Sequence, residues 1–220
     1  MFFKEFFKVI KQEDLINQAL HDVDAMYNDS KTLYDEAIAS LAEKRFSHFD
    51  IYVLDKQINE YEKNIRKKIL ETLSINPKQE IVASLVMTSI IIDIERIGDY
   101  SKNIYELIQL CPDAKQIMLS NQLMLDAGQI SELFDELAQI LHEPNSDLAQ
   151  NVMDKLEKIK QDLEGFICQS ANSDSMTVKE AVSNVLFARY LKRVAAHLEN
   201  ISSSLSNSFD MIGFYQKNNH

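Results

Sequence analysis

Ile92-Asp-Ile-Glu-Arg-Ile-Gly-Asp-Tyr-Ser-Lys-Asn-Ile104 is the most chemically loaded stretch of the chain, and its spacing decides the fold. Ile90, Ile94, Ile97, Ile104 and Ile108 recur at helical intervals and define one apolar face. Glu95 and Asp99 lie four apart and project from a different face, with Glu106 further along their stripe. Asp93 and Arg96, and Arg96 and Asp99, are each three apart, which allows a local chain of ion pairs. Gly98 costs a helix about 1 kcal/mol relative to Ala. That cost is tolerable if another backbone or an ion approaches closely at this point.

The composition extends this helix to the whole chain. Only 4 Gly and 3 Pro occur in 220 residues, against roughly 15 and 11 from average usage. Tight turns are therefore few and regular elements long. Six segments with apolar residues at three- and four-residue spacing follow, separated by the few good breakers. They are expected at about 14–43, 47–73, 77–110, 113–141, 146–168 and 177–206. A short helix holding Phe2, Phe3, Phe6 and Phe7 is expected before them. Asn76-Pro77 supplies a cap and a first-turn proline for the third helix. Cys111-Pro112-Asp113 breaks the chain near its midpoint, and Thr177-Val-Lys-Glu180 matches a capping box. Phe209, Met211, Phe214 and Tyr215 predict that the C-terminal tail packs down.

The order long, medium, long occurs twice, and residues recur with it. Val53-Leu-Asp-Lys56 matches Val152-Met-Asp-Lys155 at a separation of 99 residues. Arg96, Asn103 and Ile104 match Arg193, Asn200 and Ile201 at 97. An all-α fold of two tandem three-helix bundles related by duplication is expected, divided at 1–111 and 112–220.

In the second helix Asp55, Asn59, Glu62 and Arg66 share a stripe beside the apolar face of Leu54, Ile58, Ile65 and Ile69. If this stripe faces Glu95 and Asp99, it gathers carboxylate oxygens and one amide, a set suited to hard cations. The alternative is that both stripes are solvent-exposed and laced with salt bridges. Spacing alone leaves both open.

The segment Ile92–Ile104 resembles the signature of the PhoU family, and Asp55-Lys-Gln-Ile-Asn-Glu-Tyr-Glu62 resembles that family's second helix. The six-helix duplication is similar to the family's architecture. The resemblance implies a regulator of phosphate uptake and not an enzyme. Its partners would be a phosphate transporter component, either an ABC transporter ATPase or a phosphate permease, and a sensor histidine kinase. It also implies a metal (Fe, Mn, Mg or Ca) on Glu95 and Asp99, with Asp55 and Glu62 as facing ligands. Asn59 stands where a carboxylate is common. A homodimer is expected, as is membrane association only through a partner.

The second half departs from this pattern. Lys192 and Ala196 stand at the counterparts of Glu95 and Asp99, and Lys158 and Gln161 at those of Asn59 and Glu62. Ammonium groups cannot ligate a metal, so binding is expected in the first half alone, with Lys158 and Lys192 filling the corresponding space. His197 beside the degenerate motif is expected to be a packed or surface residue and not a ligand.

Other classes are weakened or kept open by the same reading. A di-iron enzyme needs Glu-x-x-His pairs, and none of the five histidines has Glu three residues before it. No Gly-rich phosphate loop is present. Net charge −11 disfavours nucleic acid and anionic membrane surfaces, and Lys63–Lys68 reads as a solvated basic face. Cys111 and Cys168 have no metal-type spacing and read as ordinary thiols of a reducing compartment. Ile81–Ile92 is too short to span a membrane, so a cytoplasmic protein is expected. An accessory protein of a sodium-coupled or low-affinity permease, and a metal-free helical interaction protein, remain the alternatives.

Overall fold

A computed structural model describes residues 14–75, 77–110, 119–143, 145–173 and 175–207. Its elements are α1 (Asp14–Glu43), α2 (Ile51–Ile75), α3 (Pro77–Leu110), α4 (Asn121–His142), α5 (Ser146–Ala171) and α6 (Val178–Ser206). Among the described residues there is no strand. The all-α architecture expected from the spacing is the one observed. Asn76, Cys111-Pro112-Asp113, the four N-terminal Phe and the tail from Phe209 lie outside the described residues.

Caps explain where the helices start and stop. Thr177 accepts from the Glu180 N–H while Glu180 accepts from the Thr177 N–H, the reciprocal box its sequence predicts. Two boundaries differ from expectation because a cap lies further along. Asp50 accepts from the Tyr52 N–H at 2.9 Å, so α2 begins at Ile51 and not at Ser47. Ser120 is extended and accepts from the Gln122 N–H, so α4 begins at Asn121 and not at Asp113. At the end of α1, Lys44 takes φ 53°, and Arg45 N–H reaches the Ser40 carbonyl at 3.1 Å. The chain thus leaves α1 through a left-handed C-cap occupied by Lys instead of the usual Gly.

The isoleucine face of α3 becomes the core: Ile90, Ile94, Ile97, Ile104 and Ile108 are all buried. α3 packs on α1 and α2 on one side and on α6 on the other. It crosses α6 antiparallel. His197 Nδ1 lies 2.7 Å from Asp93 Oδ1, Tyr100 stacks on His197 with ring centroids 5.7 Å apart, and Tyr100 also meets Tyr190 at 6.3 Å. Tyr100 and His197 are 97 residues apart, as are Asp93 and Tyr190. The Asp93–His197 and Tyr100–Tyr190 contacts therefore exchange under that offset, and Tyr100–His197 maps onto itself. The contact pattern between α3 and α6 is thus two-fold, centred on the last pair.

A second exchange joins α1 to α4. Tyr27 Oη donates to the Phe134 carbonyl at 2.8 Å, and Tyr34 Oη to the Ala127 carbonyl at 2.9 Å. Tyr27 and Ala127 are 100 residues apart, and so are Tyr34 and Phe134, so the two residue pairs exchange under that offset, although both donors lie on α1 and both acceptors on α4. Both tyrosine rings pack on Phe134 at centroid distances of 5.7 and 5.2 Å. Buried phenols need such partners, because an unpaired hydroxyl in the core costs more than its net bond returns.

Asp93 is the polar hinge of this arrangement, since Asn200 Nδ2 also donates to its Oδ1 at 3.0 Å. Asp93→Ala removes the shared acceptor of two part-buried groups and is expected to cost about 1–3 kcal/mol. Urea unfolding with an unchanged m-value is the check; a shift near zero would mean that water replaces the carboxylate.

Candidate acidic site on α2 and α3

The four carboxylates expected at the site lie along the face where α2 runs antiparallel to α3. Lys102 joins them: its Nζ lies 2.9 Å from Asp55 Oδ1 and 3.2 Å from Asp99 Oδ1. Arg96 reaches Asp99 Oδ2 at 3.1 Å and Glu95 Oε2 at 3.5 Å, and Arg66 holds Glu62 Oε1 at 2.7 Å. Near α2's start, Tyr52 Oη donates to Glu106 Oε1 at 3.3 Å. Asn59 donates its Nδ2 to the Asp55 carbonyl of its own helix at 3.0 Å.

Electrostatics single out Glu95. Burial, followed by the neighbouring Asp99 charge, pushes its carboxyl up; Arg96 opposes this, and Glu62 adds to the rise. Burial alone would lower the Lys102 ammonium, but its bonds to Asp55 and Asp99 and their charges outweigh it, so Lys102 is held more firmly protonated. The site is an acidic face closed by internal cations, with an excess of negative charge centred on Glu95.

Four carboxylates without sulfur or imidazole suit a hard cation in donor chemistry. The arrangement as folded places the Lys102 ammonium between Asp55 and Asp99. Among the described residues, no three His, Cys, Asp or Glu side chains converge as a metal-holding group. A cation would therefore have to displace Lys102.

Gly98 serves packing. A Cβ there would lie 3.2 Å from Ile58 Cδ1 and 3.8 Å from Leu33 Cδ2, so the side chains of α1 and α2 are what approach it closely.

The second half solves the same position differently. Lys192 pairs with Glu164, whereas Lys158 lines a cleft of about 470 Å³ between α4 and α5 with Asp126, Glu132, Glu136, Lys155 and Asp162. The expectation that Lys158 and Lys192 fill one space is corrected, because Lys158 faces α4 while Lys192 is held by Glu164. Glu199, 97 residues after Lys102, is buried and pairs with Lys160, which also holds Glu157 at 2.7 Å. Burial pushes the Glu199 carboxyl up against the pull of Lys160. The sign of the charge has been exchanged between the halves. Sequence reasoning missed Lys102, although its position three residues after Asp99 was a usable signal, and it had no signal for Lys160–Glu199, whose partners are 39 residues apart.

Residues 16–108 match the model of the PhoU domain. The chain is similar to the phosphate-specific transport system accessory protein PhoU homolog of Pseudomonas putida, 24% identical over 186 residues, covering 82% of this chain and 70% of that protein. Its fold is similar to that of the phosphate transport system regulatory protein PhoU from Streptococcus pneumoniae, with TM-score 0.75, 17% identity and coverage of 86% of this chain and 92% of that one. PhoU from Pseudomonas aeruginosa gives TM-score 0.71 at 18% identity over 87% and 95% of the two chains.

Because the Glu95 carboxyl is raised, its folded state favours the protonated form, so it costs stability as pH rises above the ordinary glutamate range. Glu95→Gln is expected to raise stability at neutral pH by about 0.5 kcal/mol, the size of one relieved like-charge pair. The gain should vanish below the unfolded-state value, where both side chains are neutral. Denaturation at pH 7 and pH 4 measures the difference; a gain that grows on acidification would reverse the assignment.

Proposed function

We propose that this chain regulates phosphate uptake, since residues 16–108 match the model of the PhoU domain and the fold is similar to that of PhoU proteins. It does so by contact with a phosphate transporter component and not by chemistry of its own. The PhoU domain match over α1–α3 carries this reading, because that segment holds the four-carboxylate face. The names of its relatives, an accessory protein and a regulatory protein of phosphate transport systems, support it. No described helix is long and apolar enough to cross a membrane. The partner is an ABC transporter ATPase or a phosphate permease, with a sensor kinase as a second listener and a homodimer as the working state.

In cells lacking the chain, phosphate uptake is expected to lose its response to external phosphate and to regain it when the chain is restored. Uptake measured with labelled phosphate decides; an unaltered response in the deletion strain would remove this function.

A second reading, favoured by the excess negative charge at Glu95, is that the face takes up a hard cation such as Mg, Mn, Ca or oxidic iron. Glu95, Asp99, Asp55 and Glu62 would hold it, and the bound cation would neutralise the face. Lys102 is the competitor for that place. Lys102→Met is therefore expected to strengthen the rise in melting temperature on adding Mn, since a ligand of the folded state at a hundredfold over Kd stabilises by about 2.7 kcal/mol. Asp99→Asn should abolish the response and Lys192→Ala should leave it intact. A response lost in Lys192→Ala but kept in Asp99→Asn would place the cation in the second half.

A further inference from the structure

The acidic site is the middle of a longer face. On α3, positions 81, 85, 88, 92, 95 and 99 fall on one stripe by helical periodicity. Ile81, Leu85 and Ile92 on it are 49%, 40% and 38% exposed. The stripe then becomes Glu95 and Asp99. On α2 the parallel row is Asp55, Glu62, Arg66 and Leu70, and Leu70 is 67% exposed. The Lys102–Asp55 and Tyr52–Glu106 contacts fix the two rows side by side and antiparallel. Leu70 therefore lies at the end of the bundle where Ile81 and Leu85 begin α3. Single exposed apolar side chains are ordinary, but four on two adjoining rows form a patch, and patches mark interaction sites.

From Ile81 to Asp99 the stripe is about 27 Å long at 1.5 Å per residue. Its apolar part is followed by five carboxylates, Asp55, Glu62, Glu95, Asp99 and Glu106, against three internal cations, Arg66, Arg96 and Lys102. We propose that this α2/α3 face docks a basic amphipathic helix of the partner protein, with its apolar residues on Ile81, Leu85, Ile92 and Leu70 and its Lys or Arg side chains on the carboxylate band. This deepens the regulatory reading above and rests on it, since it names the chemistry of the partner segment.

Charge complementarity selects this occupant. An anionic lipid surface or a nucleic acid would meet the carboxylate band and be repelled. A second copy offers the same acidic face, so a two-fold pairing sets carboxylates against carboxylates or against apolar side chains. A helix is the fitting shape because its own i, i+4 and i+11 positions match the spacing of Ile81, Leu85 and Ile92 along α3. The molecule also contains its own control. Val178 and Val182, 97 residues after Ile81 and Leu85, are exposed as well, but Arg189, Lys192 and Ala196 replace Ile92, Glu95 and Asp99. The second-half face keeps the apolar end and has lost the acidic one.

The probe is a dye-labelled synthetic helix of Leu and Lys, about 18 residues long, with a Leu and Glu peptide of the same pattern as control. Binding to the full chain is read by fluorescence anisotropy in EDTA. The Lys peptide is expected to bind and the Glu peptide not, with affinity falling as salt rises. Leu85→Ser/Ile92→Ser and Glu95→Gln/Asp99→Asn should each weaken binding about tenfold. Val182→Ser and the charge-matched Glu132→Gln/Glu143→Gln should change it less than about twofold, and circular dichroism confirms that each variant is folded. Equal losses from the second-half variants would mean attraction by net charge alone and overturn the docking face. A concentration-dependent increase in mass abolished by the same first-half substitutions would overturn it in favour of a second copy. Phosphate uptake still responding to the chain while the peptide fails to bind would remove this face and leave the regulatory function standing.

Discussion

The buried Asp93 carboxylate, shared by His197 and Asn200 across the α3–α6 crossing, is the interaction on which the rest of the structure depends. Apolar burial drives the two long helices together but is non-directional, so it tolerates several registers. A charged hydrogen bond in a part-buried site tolerates few, because a misplaced partner leaves the group unpaired. Once this register is set, Tyr100 meets His197 at the centre of the two-fold contact pattern. α1 and α4 are then brought close enough for Tyr27 and Tyr34 to bond across the halves.

Symmetry of packing and asymmetry of charge follow from this. The cross-half contacts repeat with the sequence offset, while the polar faces do not. In the first half Lys102 compensates two carboxylates on different helices. In the second, Glu199 stands at the counterpart of Lys102 and draws Lys160 inward. An ion pair between the second and third helix of each half survives, but only the first half keeps Glu95 and Asp99, where burial, followed by the Asp99 charge, pushes the Glu95 carboxyl up. Outer faces are free to diverge in this way because substitutions there leave the isoleucine core untouched.

How much was legible varied by the range of the interaction. The Thr177 box and the α3 core face were readable because both follow from residues within a few turns. The starts of α2 and α4 were misplaced because Asp50 and Ser120 compete with earlier polar residues as caps, and only backbone geometry shows which one turns the chain. At Gly98 the spacing signals a close approach but not its source, which is Ile58 and Leu33, distant in sequence. Asn59 shared a stripe with the carboxylates, yet its amide found a nearer partner in its own helix.

The sequence by itself determined the helices, the choice of buried face and the concentration of carboxylate on α2 and α3, because periodicity and local capping are properties of short segments. Only the tertiary structure decided which charges meet. Whether Asp55 and Asp99 share a cation depends on the side-by-side placement of two helices, set by the core beneath them. That placement put Lys102 between the carboxylates, sent Lys158 toward α4 and made His197 a bridge to Asp93. Each is a contact between residues far apart in the chain, and no spacing along one helix encodes it.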